Sequence, residues 1–328
     1  FFFFDKYLPY HVESNPFKPI VYLSWFLTAF LFPKRRYNFF LSEEPYFFLA
    51  LMNYLHLISK RKKVISIMGT HTLYFIKEKK LSPNVIKLML WIFSNYDGII
   101  CQGDMQKEMF EEFLHPFKRK PKVISITNGS TSKRIKALMS ISREFGVYKM
   151  VTIAQVSDKK RAYYKGIDLM FRAFNIAGKK HPQLRYDIIG FVAPEIQEDL
   201  LKLVDKELFN RISFLGRIEN YEEAISGYDL CLHTARGEAW GISINECLLG
   251  GLPTIVSEWT GAKEIIAKID PSMITILDDN EIAHKIENYY SQSIEKLNNI
   301  SFKCRSISAT FTEKRSVEEF KNAFTELT

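Results

Sequence analysis

Two glutamates, Glu238 and Glu246, stand eight positions apart around a glycine, within the run YDLCLHTARGEAWGISINECLLGGLPTIVSEWTGA at residues 228–262. An apolar stretch at 229–233 reads as a strand and meets a polar turn that carries Glu238. Gly241 follows as a hinge, and a helix is expected to start at Ser243 with Glu246 in its first turn, ending at Gly250 and Gly251. Pro253 opens a second β-rich run at 254–257, and Gly261 precedes Glu264. A strand–loop–helix–strand unit of this kind fits an open parallel sheet, in which ligands bind beyond the carboxyl ends of the strands. A helix N-terminus at that point attracts anions, because its unpaired N–H groups and its dipole both face the ligand. The chemistry suggested is capture of a phosphate-bearing ligand with a carboxylate on either side. Each glutamate also has a plainer reading: Ser243-x-x-Glu246 is the spacing of a capping box, and Glu238 fits a solvated loop carboxylate.

The elements that position these residues alternate along the chain. In the first half, strands are expected at 37–41, 64–68, 98–101 and 123–127, with helices at 46–59, 84–95 and 105–114. In the second half, strands fall at 150–154, 186–190 and 211–215, with helices at 167–177, 196–204 and 221–226 ahead of the unit above. Such alternation argues for α/β domains built on parallel sheets. A length of 328 residues suits two domains, and 47% hydrophobic with 25% charged residues is a globular composition. The four cysteines, at 101, 231, 247 and 304, form no C-x-x-C pair and no group with zinc-ligand spacing. Buried free thiols in a reducing, cytoplasmic setting are expected.

Glu238 and Glu246 together resemble the E-x7-E motif of retaining glycosyltransferases of family 4, which have the GT-B fold. The flanking sequence is similar as well: Gly241-x-x-x-x-Glu246, then Leu248-x-x-Gly251-x-Pro253-x-Ile255-Val256-Ser257, then Gly261-Ala262-x-Glu264. Residues 124–129 resemble the family's v-i-x-N-G strand, and 151–154 the start of its second domain. Lys165-Gly166 resembles its K-G turn, while 187–190 and 214–216 resemble its i-i-G and f-l-G strands. The resemblance spans roughly two-thirds of the chain and is best from 150 to 265. It implies two Rossmann-like domains facing across a donor cleft. An acceptor-side domain would cover 1–135, a nucleotide-sugar domain 136–310, and a C-terminal helix at 311–328 would return to the first domain. It further implies that Glu238 lies against the donor sugar as the catalytic residue, and that Glu246 holds the ribose hydroxyls. Gly241, Ile242 and Ser243 would meet the diphosphate, with positive charge from Lys165 and from a basic loop at 159–161 that includes Arg161. Arg217 would lie by the nucleobase. His71 lies near the family's acceptor-side histidine position, which Met68 also fits. Neither a metal nor another cofactor is implied.

The chain departs from the family in two places. Ala154-Gln155-Val156 stands where the family has G-R-L, so the arginine that faces the donor diphosphate is missing there. The chain also begins at Phe1 with no glycine-rich loop after a first strand, and a truncated, incomplete first domain is expected.

The net charge of +8 is uneven: residues 1–130 hold 18 Lys+Arg against 10 Asp+Glu, while 131–328 hold 27 of each. Basic clusters at 34–36, 60–63, 77–80 and 118–122 lie near aromatic and aliphatic runs at 22–32 and 46–57. This surface suits an anionic bilayer or a lipid-phosphate acceptor on the cytoplasmic membrane face. The run at 20–32 is shorter than the ~20 residues needed to span a bilayer, and it reads equally well as a buried helix beside solvated lysines. No helix-turn-helix, zinc-finger or RNA-binding signature is present, so no nucleic-acid partner is expected. His233, at the end of an apolar strand, reads either as a donor contact or as a hydrogen-bonded core histidine. The expected function is retaining transfer of a sugar from a nucleoside diphosphate sugar to a glycan or lipid-linked acceptor. The alternatives are a non-catalytic sugar-nucleotide-binding subunit and a sugar-nucleotide epimerase.

Overall fold

The computed structural model describes residues 39–42, 47–58, 63–68 and 72–328. The expectations placed on 20–32, 34–36, 60–62 and His71 lie outside the described residues. The first sheet runs β1 (Phe39–Ser42), β2 (Val64–Met68), β3 (Gly98–Gln102), β4 (Lys122–Ile126), in that order and all parallel. Between its strands lie α1 (Phe47–Tyr54), α2 (Thr72–Lys77), α3 (Pro83–Ser94) and α4 (Asp104–Leu114). Consecutive residues of a strand point to opposite faces, and in the central strands β2 and β3 residues on both faces are buried. Val64 and Ile99 pack with Leu49, Phe93 and Phe110 of these helices. Their neighbours Ile65 and Ile100 pack on Ala323 and Leu327 of the last helix.

After Asn128 and Gly129 the chain crosses into the second unit, Ser130 bridging to Thr312, and forms α5 (Ser132–Met139). Next come β5 (Lys149–Ile153), α6 (Lys159–Tyr164), α7 (Ile167–Lys180), β6 (Arg185–Ile189), α8 (Pro194–Leu201), β7 (Ile212–Gly216), α9 (Tyr221–Ser226) and β8 (Leu230–His233). The remainder is α10 (Ile242–Leu249), β9 (Thr254–Ser257), α11 (Lys263–Ile269), β10 (Ile274–Thr275), α12 (Asp279–Tyr290), α13 (Ile294–Ser308) and α14 (Glu313–Leu327). The strand order is β7-β6-β5-β8-β9-β10, all parallel. Winding starts at β5 and goes outward in both directions, so the crevice between the ends of β5 and β8 is the switch point at which such sheets bind ligands. α14 returns to the first unit, where Glu319 accepts from the Thr127 N–H and hydroxyl, each at 2.7 Å.

Several local expectations need correction. The helix expected over 46–59 is only α1, ending at Tyr54. The phosphate-side helix starts at Ile242 and not at Ser243, because Gly241, at φ +82°, takes the cap position. The basic segment 159–161 is no loop but the first turn of α6, nucleated by the Asp158 carboxylate accepting the Arg161 N–H at 2.8 Å. Among the described residues, no helix is long and apolar enough to cross a membrane.

Candidate functional site

The switch point is closed by two segments bound to each other along their length. One is the turn joining α6 to α7, which carries Lys165 and Gly166; the other is the loop at 234–240 that leaves β8. Gly166 sits at φ +65° with its α-carbon against the Thr234 carbonyl, an approach only glycine allows. Arg236 fixes the next contact: its backbone N–H donates to the Tyr164 carbonyl at 2.7 Å, and its guanidinium to the Tyr163 carbonyl at 2.6 Å. The same guanidinium forms a fork with Asp168, at 2.6 and 2.8 Å, and lies 3.9 Å from the Tyr163 ring centre. It is nearly buried, so planar pairing and stacking replace its lost hydration. Two residues on, Glu238 pairs with the Lys165 ammonium.

Glu238 is held from every side. Its N–H donates to the Trp259 carbonyl at 3.1 Å, and its own carbonyl accepts from Gly261 at 2.9 Å. His233 Nε2 stands 3.4 Å from its Oε2. Burial would raise the Glu238 carboxyl, but the His233 contact and the Lys165 charge outweigh it and hold the group well below the ordinary carboxylate range. Glu238 is therefore an ionised, oriented group and not a solvated loop carboxylate.

Beside it, Gly241 turns the chain into α10. The first N–H groups of that helix, at Ile242 and Ser243, have no intrahelical partner by geometry, and Ile242 is 58% exposed. Glu246, one turn further, makes no capping box, because Ser243 lies inside the helix. Its Oε1 accepts instead from Arg134 Nε at 2.8 Å.

The structure thus brings Lys165, Glu238, Gly241, Ile242, Ser243 and Glu246 to one edge of the sheet. Arg161 is turned elsewhere, exposed and donating to the Gln155 carbonyl at 2.8 Å, while Lys159 pairs with Asp199 at 2.7 Å. Arg217 is exposed just after β7, beyond Gly216. Arg134, Asp168 and Arg236 went unnoticed in the sequence. For Arg236, the one available signal was its place two residues before Glu238.

The first unit closes over this edge. Glu264, the last residue of Gly261-Ala262-x-Glu264, accepts the Met105 N–H at the start of α4 at 2.9 Å. Tyr74 meets Trp259 edge-on at 5.0 Å, and Phe75 lies 5.7 Å from Tyr164. Burial first, and then the Tyr163 hydroxyl, push the Tyr74 phenol up to about 12.

Residues 150–292 match the model of the family described as glycosyl transferases group 1. A curated relative is the GtfA subunit of a UDP-N-acetylglucosamine–peptide N-acetylglucosaminyltransferase from Streptococcus pneumoniae. It is 26% identical over 169 residues, which are 50% of this chain and 31% of that protein. A protein of Methanocaldococcus jannaschii named as an uncharacterized glycosyltransferase is 22% identical over 66% of this chain and 54% of its own length. The match thus spans 31% of the first of these relatives and 54% of the second. The fold is that of S. aureus TarM, solved with UDP, with a TM-score of 0.63 at 16% identity over 81% of this chain and 51% of that one. Anabaena HepE, solved with UDP and glucose, gives a TM-score of 0.60 at 18% identity over 85% and 73%. The architecture is accordingly α/β with parallel sheets of the GT-B type.

Proposed function

We propose that this chain binds a nucleoside diphosphate sugar across the ends of β5 and β8. It would transfer the sugar, with retention of configuration, to a glycan or lipid-linked acceptor. The observation that carries this reading is the Lys165–Glu238 pair set beside the N-terminus of α10. Departure of the nucleotide leaves negative charge on the diphosphate and positive charge on an oxocarbenium-like sugar. Both are stabilised best by groups already in place. The Lys165 ammonium has three donors and shares them between Glu238 and the diphosphate, while the free N–H groups of α10 take other phosphate oxygens. The Glu238 carboxylate faces the sugar and Glu246 the ribose, with the stretch at Arg217 beside the base. In this scheme the positive charge comes from protein groups, and no metal is called for. The named relative acts with a UDP-sugar and two structural neighbours hold UDP, which makes UDP the first nucleotide to try.

Thermal unfolding with UDP, GDP and ADP and their sugar conjugates tests the reading. One nucleotide should stabilise the wild type by about 2.7 kcal/mol at a hundred times its Kd, and Glu246→Ala should lose that shift. A wild type that responds to none of them overturns the donor site.

The first unit, in the same proposal, rests on an anionic membrane surface. Exposed Tyr54, Leu55, Val85 and Leu88 stand on or beside α1 and α3, which meet where Tyr54 packs on Trp91 at 5.6 Å, and Lys87 is exposed on α3. Each basic residue near such a surface contributes about 1 kcal/mol. Vesicles rich in phosphatidylserine should therefore carry the chain in flotation and release it in high salt. Flotation indifferent to both lipid charge and salt counts against the proposal.

A further inference from the structure

Glu246 shares the nucleoside side of the cleft with a second charged group. Arg134, on the first turn of α5, donates through Nε to Glu246 Oε1 at 2.8 Å, and its other arm pairs with Glu222 on α9. All three side chains are half-buried. They come from three helices that pack through Leu138 of α5, Ile225 of α9 and Leu249 of α10, each fully buried. α5 is itself anchored at both ends. Thr131 caps it by accepting the Arg134 N–H at 3.1 Å, and Arg305 donates to the carbonyls of Met139 at 2.9 Å and Ile141 at 2.7 Å beyond its other end. The guanidinium is thus placed by the packing of α5 and not by its ion pairs alone.

We infer that Arg134 is a positioning residue that orients the Glu246 carboxylate for a ribose, an inference that rests on the donor site proposed above. A glutamate has three rotatable torsions and can present its carboxylate in many planes, so binding a diol through it requires those torsions to be frozen. Arg134 freezes them beforehand by taking Oε1, which leaves Oε2 to meet the ribose hydroxyls in a defined plane. Glu222 holds the opposite arm and keeps the guanidinium from swinging into the cleft. A planar fork does this where a lysine ammonium does not, because the fork fixes direction as well as charge.

The consequence is specific to the ribose. For whichever of UDP, GDP and ADP binds the wild type, its 2′-deoxy analogue should bind about tenfold more weakly or worse, as expected for losing a hydrogen bond to a charged acceptor. In Arg134→Ala and Arg134→Lys this preference should fall to within about threefold, through weaker binding of the ribonucleotide. The double variant Arg134→Gln/Glu222→Gln removes the guanidinium together with one of its two carboxylates, keeps a polar amide at each place and serves if Arg134→Ala fails to fold; its preference should fall likewise. Titration calorimetry of each pair of nucleotides gives the ratio, and the melting temperature reports the fold. Unchanged preference in folded variants, with both nucleotides weakened alike, overturns the inference and leaves the donor site standing. A wild type that binds none of the nucleotides overturns both, whereas one that binds a nucleotide with no ribose preference overturns the ribose role of Glu246 and this inference with it.

Discussion

Glu238→Ala is expected to lower sugar transfer by at least about 10²–10³-fold while leaving affinity for the bare nucleoside diphosphate within a few-fold. The range is that for removing one preorganised electrostatic group from an active site. The two halves of the expectation separate because, in the proposed donor site, Glu238 would face the sugar while its partner Lys165 and the N-terminus of α10 would meet the diphosphate. Glu238→Gln keeps the shape and removes the charge, so it should show nearly the full loss. Turnover at the wild-type level in either variant would end the assignment of Glu238.

The pH dependence follows from the same pair. The folded state holds Glu238 below its unfolded value, so the pair's contribution to stability is complete above the ordinary glutamate pKa. It is lost as pH falls through the acidic range toward the lowered one. The acid limb of wild-type unfolding should therefore flatten in Glu238→Gln. An acid limb that stays the same would mean that the pair adds nothing.

Gly166→Ala is expected to have the largest effect on the fold. A Cβ at left-handed φ costs about 1–2 kcal/mol by itself, and here it would also run into the Thr234 backbone carbonyl, which cannot rotate away. The loop after β8 must then move, taking Arg236 and Glu238 with it. A fall in melting temperature of about 5 °C or more should accompany loss of nucleotide binding, given roughly 2–4 °C per kcal/mol for domains of this size. Gly227→Ala is the control, since Gly227 has φ −86° and open space where a Cβ would go. Equal melting temperatures for the two variants would contradict the close approach at Gly166.

The backbone of the proposed donor edge was legible in the sequence because its turns are local. Gly241, Gly251 and Pro253 act on the backbone within a few residues, and the K-G turn is marked by its own glycine. Strand placement was legible for a related reason: strands buried on both faces, such as β2 and β8, appear as continuous apolar runs. Short polar helices were not, and α5 and α6 passed unseen, although Thr131 and Asp158 stood in front of them as caps.

Residue types, strand–helix alternation and backbone turns were therefore determined by the sequence alone, since each reflects forces acting over one turn or one strand. Only the tertiary structure decided which charges meet. Arg134 reaches Glu246 across 112 positions, Glu264 reaches the Met105 N–H across 159, and Arg161 turns to the outside while Lys165 turns in. A charged side chain leaves no periodic trace of its partner, because a surface lysine or arginine is favourable almost anywhere until burial removes its water. Packing of Leu138, Ile225 and Leu249 brings Arg134 to Glu246, and the sequence shows those residues only as scattered hydrophobics.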